Sequence, residues 1–272
     1  MSDFMGKTAV FSMNSNPTPS HPVSRSRPEN FSRPLRAARA ALLAGLAMAV
    51  APGASAALNF SLGDPGVTGP TGPVVIPDNN LNGLAYTFTV AEPGQARIAD
   101  VSVSLNISGG YNGDLYAYLS HEGGGFAVLL NRVGVGAANP GGSTDGYAGG
   151  GFNVTLSSAG AANIHFYQNG APTYAGGQLT GEWQPDGWDV LPTAAPAKFD
   201  APGTADFRGF IGSNPNGQWT LFLADTSPLD TSRLNDFSVR IVPVPEANTG
   251  LPVAITVLAA VLLARGRRVL VI

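Results

Sequence analysis

Along residues 98–107 apolar and polar side chains alternate: Val101, Val103, Leu105 and Ile107 fall on one face, Ser102, Ser104 and Asn106 on the other. A period of two is that of a half-buried β-strand, because successive side chains of an extended backbone point to opposite faces. Residues 84–90 (LAYTFTV), 115–120 (LYAYLS), 126–131 (FAVLLN), 152–156 (FNVTL), 219–224 (WTLFLA) and 237–242 (FSVRIV) also read as strands. Each is bounded by Gly, Asn, Asp or Pro, the residues that tight turns use. No amphipathic helix of useful length interrupts them. Short strands separated by turn signals predict an all-β fold, a jelly-roll-type β-sandwich spanning residues 84–242. Residues 57–83 read as a linker or first strand region. Residues 134–151 and 168–202 read as long loops at the ends of the sandwich, where binding residues concentrate.

Composition supports a packed domain. Hydrophobic residues make up 44% of the 272 and charged residues only 12%, enough apolar surface to fill a core. There is no cysteine, which excludes disulfides, thiolate catalysis and Cys-ligated zinc. Such a domain depends on its core, a bound ion or a partner. Charge is unevenly distributed: residues 57–245 carry six Lys/Arg against fifteen Asp/Glu, a net charge of −9. An acidic body repels phosphate backbones, which argues against nucleic acid, and is compatible with divalent cations.

The two ends read as addresses. Arg33, Arg36 and Arg39 precede an apolar run over residues 40–50, followed by Ala54-Ser55-Ala56. A positive flank, a short apolar segment and an A-x-A site form a secretory signal peptide, with cleavage by signal peptidase expected after Ala56. Residues 1–56 are thus an unstructured leader plus signal peptide. At the other end, Pro245, Glu246 and Ala247 precede an apolar segment over residues 251–264 and the cluster Arg265-Gly266-Arg267-Arg268. This order resembles the PEP-CTERM sorting signal of Gram-negative bacteria. The resemblance implies that residues 243–272 form a sorting tail with a transmembrane segment at 251–264, handled by an exosortase-type protease near Pro245 and Glu246. Ala247 stands where a second Pro is usual, and Val269–Ile272 extends beyond the arginines. A plain C-terminal membrane anchor is the alternative. The positive-inside rule keeps the basic cluster cytoplasmic under either reading, so the body lies outside the cytoplasm, at the cell surface, in the outer envelope or in the extracellular matrix.

The body also carries an ordered set of motifs. The strand ending at Ile107 runs into Gly109-Gly110-Tyr111-Asn112-Gly113-Asp114-Leu115. Later come Gly217-Gln218-Trp219-Thr220-Leu221, then Asp225, and finally Leu234-Asn235-Asp236-Phe237-Ser238-Val239. This sequence of motifs is similar to the P domain (P/Homo B domain) that accompanies subtilisin-like serine endopeptidases. The resemblance covers residues 84–242 and implies a non-catalytic sandwich that stabilises a protease or binds targets. Two departures stand out: the middle loops are long, and Thr231-Ser232 follow Asp230 where a Gly is usual.

No catalytic centre is legible. The body has two histidines, His121 and His165, neither within a nucleophile-elbow motif; His165 lies in an apolar stretch read as a strand. Glu122, Glu182, Asp186 and Asp189 are the acidic residues available for paired-carboxylate hydrolysis. Calcium is the ion best suited to the composition, since it takes hard oxygen ligands from loops. Asp114, Asp225 and Asp230 align with the motif aspartates and are its candidate ligands; aspartates at strand ends also cap turns. Tyr111, Tyr174, Trp183 and Trp188 fall in expected loops and are candidate ligand-binding aromatics, or else anchors that pack the loops down. The sequence therefore predicts an exported, non-catalytic binding or stabilising module whose partner is an extracellular glycan or surface protein. The alternatives are an accessory domain for a serine endopeptidase supplied by another chain, or a carbohydrate-active enzyme.

Overall fold

The computed structural model describes residues 56–92, 96–137 and 142–245. The leader, the apolar run before Ala56, Glu246 and the segment at 251–264 lie outside them. Among the described residues no helix is long and apolar enough to cross a membrane.

Among the described residues twelve strands follow in chain order: β1 (Leu58–Ser61), β2 (Val67–Thr68), β3 (Val74–Val75), β4 (Asn80–Val90), β5 (Ala96–Gly109), β6 (Leu115–His121), β7 (Phe126–Asn131), β8 (Gly151–Ser157), β9 (Thr173–Ala175), β10 (Gln178–Trp183), β11 (Gly217–Asp225) and β12 (Ser232–Pro245). Two sheets result. One has the order β1-β12-β5-β8-β10-β9, with β3 also on β12; the other runs β2-β4-β11-β6-β7. The architecture is an all-β sandwich of two sheets, as the alternating pattern predicts.

The core lies between the sheets because the apolar set of each strand shares one face. Val101, Val103, Leu105 and Ile107 of β5 are at most 1% exposed and pair with Ile241, Val239, Phe237 and Leu234 of β12, respectively. Tyr86 and Phe88 of β4 and Trp219 and Leu221 of β11 join the same core. Tyr86 meets Phe237 across the sheets at 4.7 Å. The Trp219 indole N–H donates to the Pro215 carbonyl at 2.9 Å, so the largest core side chain leaves no polar atom unmatched. Each such side chain contributes roughly 1.5–3 kcal/mol on burial.

Two local expectations are corrected, and one open reading is resolved at β1. The stretch 168–202 is not one loop: β9 and β10 lie within it, and β10 pairs in parallel with β8 through Leu179↔Phe152 to Trp183↔Leu156. β1 lies within residues 57–83, read as a linker or first strand region, and pairs with β12. His165 is not on a strand but in a 3-10 turn, Ile164–Asn169, because the Asn163 side chain accepts the His165 backbone N–H at 2.7 Å and starts the turn.

Candidate functional site

The two motif segments quoted from the sequence meet at one end of the sandwich. Asp225 closes β11 in register with Leu115, the first residue of β6. Asp114 immediately precedes β6, in the 3-10 turn Asn112–Asp114. Its carbonyl accepts both the backbone N–H and the hydroxyl of Thr226, at 2.8 and 2.9 Å, which locks the segment after Asp225 onto the one before β6. The approach is tight. Gly110 has φ +69°, and a Cβ there would lie 1.9 Å from Ser232 Oγ, so only glycine lets β12 begin this close to the turn.

The electrostatics of this end are unusual for an open strand terminus. Asp225 is fully buried. Its Oδ1 accepts the Ser227 N–H at 3.3 Å, but its Oδ2 has no hydrogen-bond partner among the described residues, and neither does the buried Ser232 Oγ. Burial first, then the fields of Asp114 and Asp78, push the Asp225 carboxyl up to about 6 against the Ser227 N–H and the nearby Ser232 hydroxyl. Asp114, 8% exposed, is also raised. Burial leads, Asp230 and Asp145 add to it, and the Ser227 side chain and Arg132 oppose it. Tyr111 is raised by burial and by Asp145, Asp114 and Asp230; its hydroxyl donates to the Gly146 carbonyl at 3.2 Å.

Two buried carboxyls beside each other, one with an orphaned oxygen, are stable only with a proton or a cation between them. Asp225 Oδ2, the Asp114 carboxylate and Ser232 Oγ are hard oxygen donors of the kind calcium takes. Asp230 is exposed on the following loop and reaches Asp114 through its field. Among the described residues no three acidic or imidazole side chains converge into a metal-holding group, so the three predicted ligands reduce to two neighbours and a more distant charge. Asp78, Asp145, Ser227 and Ser232 were not legible as members of this end, because they arrive from other turns and strands.

A second buried carboxylate has the opposite character. Asp186 Oδ2 lies 2.8 Å from His165 Nδ1 and accepts the Asn131 N–H at 3.0 Å, while Oδ1 accepts the Trp188 N–H at 3.2 Å. His165 Nε2 lies 2.8 Å from the Val135 carbonyl. With an acceptor at each ring nitrogen, the imidazole is held as imidazolium. Burial pulls its pKa down, but the Asp186 charge and hydrogen bond and the Val135 carbonyl outweigh it and raise the value. Trp188 and Phe199 stack on the ring at 4.3 and 5.6 Å.

This pair resembles half of a hydrolase triad but cannot serve as one. The nitrogen that would take a proton from a nucleophile is already engaged by Val135, and both side chains are fully buried. The adjoining cleft, about 270 Å³, is lined by Ser158, Asn163, Gln184, Asp206 and Arg208 among others, and neither imidazole nitrogen is free toward it. Asp186 also lines that cleft, with its oxygens engaged by His165 and by the Asn131 and Trp188 N–H groups, and Glu182 accepts the Ser157 hydroxyl. His121 stacks on Trp219 at 4.5 Å, with Nε2 3.0 Å from the Asn216 carbonyl.

Of the four candidate aromatics, the two tryptophans are largely buried. Trp183 closes β10 at 8% exposure, donating its indole N–H to the Thr180 carbonyl at 3.0 Å and packing edge-on to Tyr167. Trp188 is also 8% exposed and donates to the Phe199 carbonyl at 2.9 Å. Both tryptophans are anchors, because each indole N–H finds a carbonyl only by burying the ring. Of the remaining two, Tyr174 on β9 is 51% exposed and Tyr111 is half-buried at the acidic end.

No protein-family model matches the chain, and no curated protein matches it by sequence. Among solved structures it is similar to a serine protease of Aeromonas sobria in complex with its chaperone, at 14% identity and a TM-score of 0.34, covering 71% of this chain and 28% of that one. The same protease in a second structure gives 14% identity, a TM-score of 0.31, and coverage of 69% and 27%. The chain thus spans under a third of those proteins' length, and a likeness this distant carries no functional argument.

Proposed function

We propose that this chain is an exported, non-catalytic binding module of the cell surface or extracellular matrix, whose acidic end takes a calcium ion. The observation that supports the ion is Asp225: a fully buried carboxylate with one oxygen unpartnered among the described residues, beside a second buried carboxyl. The cation would be held by Asp225, Asp114 and Ser232, with Asp230 adding charge from the loop. It would remove the mutual repulsion and tie the start of β6, the end of β11 and the start of β12 together. The two-sheet sandwich and the engagement of His165 in structural bonds are compatible with a binding role. Export rests on the signal-peptide pattern ending at Ala56 and on the ordered tail after Pro245 and Glu246, which imply signal peptidase, an exosortase-type protease and at least transient membrane association.

A second reading, an accessory domain for a serine endopeptidase supplied by another chain, is favoured by one observation. The Gly-Asp-Leu and Gly-x-Trp-Thr-Leu-to-Asp segments that carry the P-domain resemblance are neighbours in space at Asp225↔Leu115. The deciding experiment is co-sedimentation of the purified chain with the extracellular polysaccharide of its own source, with calcium and with EDTA. Calcium-dependent pelleting is expected. Failure to pellet in either condition contradicts the matrix-binding role and directs attention to a protease partner.

A further inference from the structure

The sheet β2-β4-β11-β6-β7 buries one face and leaves the other outward. Its five strands contain no Lys, Arg or Glu, and their Asp225 and His121 are buried. In a body of net charge −9 the strands themselves put no charge on this face; the exposed acid Asp189 lies beyond them and reaches Tyr116 through its field. The opposite sheet differs, carrying for example the exposed Arg240–Asp100 ion pair at 3.6 Å.

The β2-β4-β11-β6-β7 face also concentrates aromatic rings. Tyr118 stacks on Phe222 at 4.9 Å with planes 18° apart, meets Phe126 at 5.2 Å and lies 5.9 Å from Tyr116. All four are half-buried, so each ring is partly open to solvent. The cluster crosses three adjacent strands without a break. A Cβ on Gly83 of β4 would lie 2.1 Å from the Leu223 carbonyl oxygen and 2.7 Å from Phe222 Cζ, so glycine there admits both the neighbouring backbone and the edge of that ring. Thr87, Thr220 and Ser120 flank the rings with hydroxyls. Aromatic faces edged by hydroxyls match the C–H faces and hydroxyl rims of pyranose rings, and the missing charge matches a polymer that carries none.

We infer that the outward face of this sheet, centred on Tyr118 and Phe222, docks a neutral polysaccharide by ring stacking. The inference rests on the binding-module reading and moves the binding surface from the loops, where sequence placed it, to a sheet. Cross-strand aromatic pairs also stabilise a sheet on their own, so the test must separate binding from folding.

The experiment measures retention of the purified chain on insoluble cellulose as the neutral glycan and on calcium-gelled alginate as the charged one, with thermal melts alongside. The variants are Tyr118→Ser/Phe222→Ser and Ser120→Glu; the second keeps every ring and places a charge among them. Tyr174→Ser is the control. Retention on cellulose but not alginate is expected, with a loss of roughly tenfold in the double variant, as for truncated aromatic anchors of an interface, a clear loss in Ser120→Glu, and none in Tyr174→Ser. Equal retention of wild type and of a folded Ser120→Glu variant overturns this surface and leaves the binding-module reading standing. No retention on cellulose, with pelleting on the native matrix intact, overturns the neutral-glycan assignment alone. Absence of both overturns the two readings together. Concentration-dependent dimerisation abolished by Ser120→Glu assigns the face to a second copy and overturns the glycan.

Discussion

Asp186 and Asp225 are both fully buried carboxylates, yet they represent opposite solutions. Asp186 has an imidazolium at 2.8 Å and backbone N–H donors from Asn131 and Trp188. Asp225 has one long backbone contact, an orphaned oxygen and another acid for a neighbour. The first is internally complete and rigid, as expected of a group that holds the loop after β10 against β7. The second is incomplete: Asp225 Oδ2 is a buried acceptor that no group among the described residues matches.

Breaking the complete pair should have the largest effect. Asp186→Ala leaves a buried imidazolium without its counter-ion and should cost about 3–5 kcal/mol, read by urea denaturation. Next comes the incomplete carboxylate, with the opposite sign: in EDTA at pH 8, Asp225→Asn should stabilise the fold by about 1–3 kcal/mol, since it removes an uncompensated buried charge. A stability loss there would mean that Asp225 has a partner within the chain.

The pH dependence of the two groups separates them further. The folded pKa of Asp225, about 6, lies above its ordinary 3.8. The folded state therefore holds the proton longer, and stability falls as pH rises from about 4 to about 6. His165 is also raised, from 6.5, so its contribution is complete below pH 6.5 and is lost as pH climbs through the higher folded value. Melting in EDTA across pH 4–9 should show two descending steps, of which Asp225→Asn removes only the lower.

Smaller again is Trp188→Phe, which keeps the stack on His165 but loses the indole hydrogen bond to the Phe199 carbonyl; about 1 kcal/mol is expected. The smallest is Asp230→Asn. On an exposed loop it should change stability by no more than about 0.5 kcal/mol while weakening calcium binding slightly, because its field reaches Asp114.

Much of this architecture was legible in the sequence because one buried face imposes alternation. All seven strands read from the pattern are present, most extended by a few residues. β10 was not legible: it reads Gln-Leu-Thr-Gly-Glu-Trp, with a glycine in its middle and a parallel rather than hairpin partner. Trp183 sits at the end of that strand, and Trp188 lies in a true loop that the ring itself packs down, the anchor alternative of the sequence reading. Asp114 and Asp225 were legible through their motifs. Ser232 was not, because its burial against Gly110 depends on where β12 begins. The half-exposed tyrosines at 116 and 118 were visible all along as the outward positions of LYAYLS, but a strand was read for its core face alone.

The central claim is that the unmatched oxygen of Asp225 awaits a cation. It is tested by thermal melting of the wild-type chain and of Asp225→Asn at pH 8 and pH 5, in millimolar calcium and in EDTA. The account predicts that calcium raises the wild-type melting temperature at pH 8, does so much less at pH 5 where the carboxyl keeps its proton, and has no effect on the variant. A calcium shift equal in both proteins, or absent from the wild type at pH 8, contradicts it.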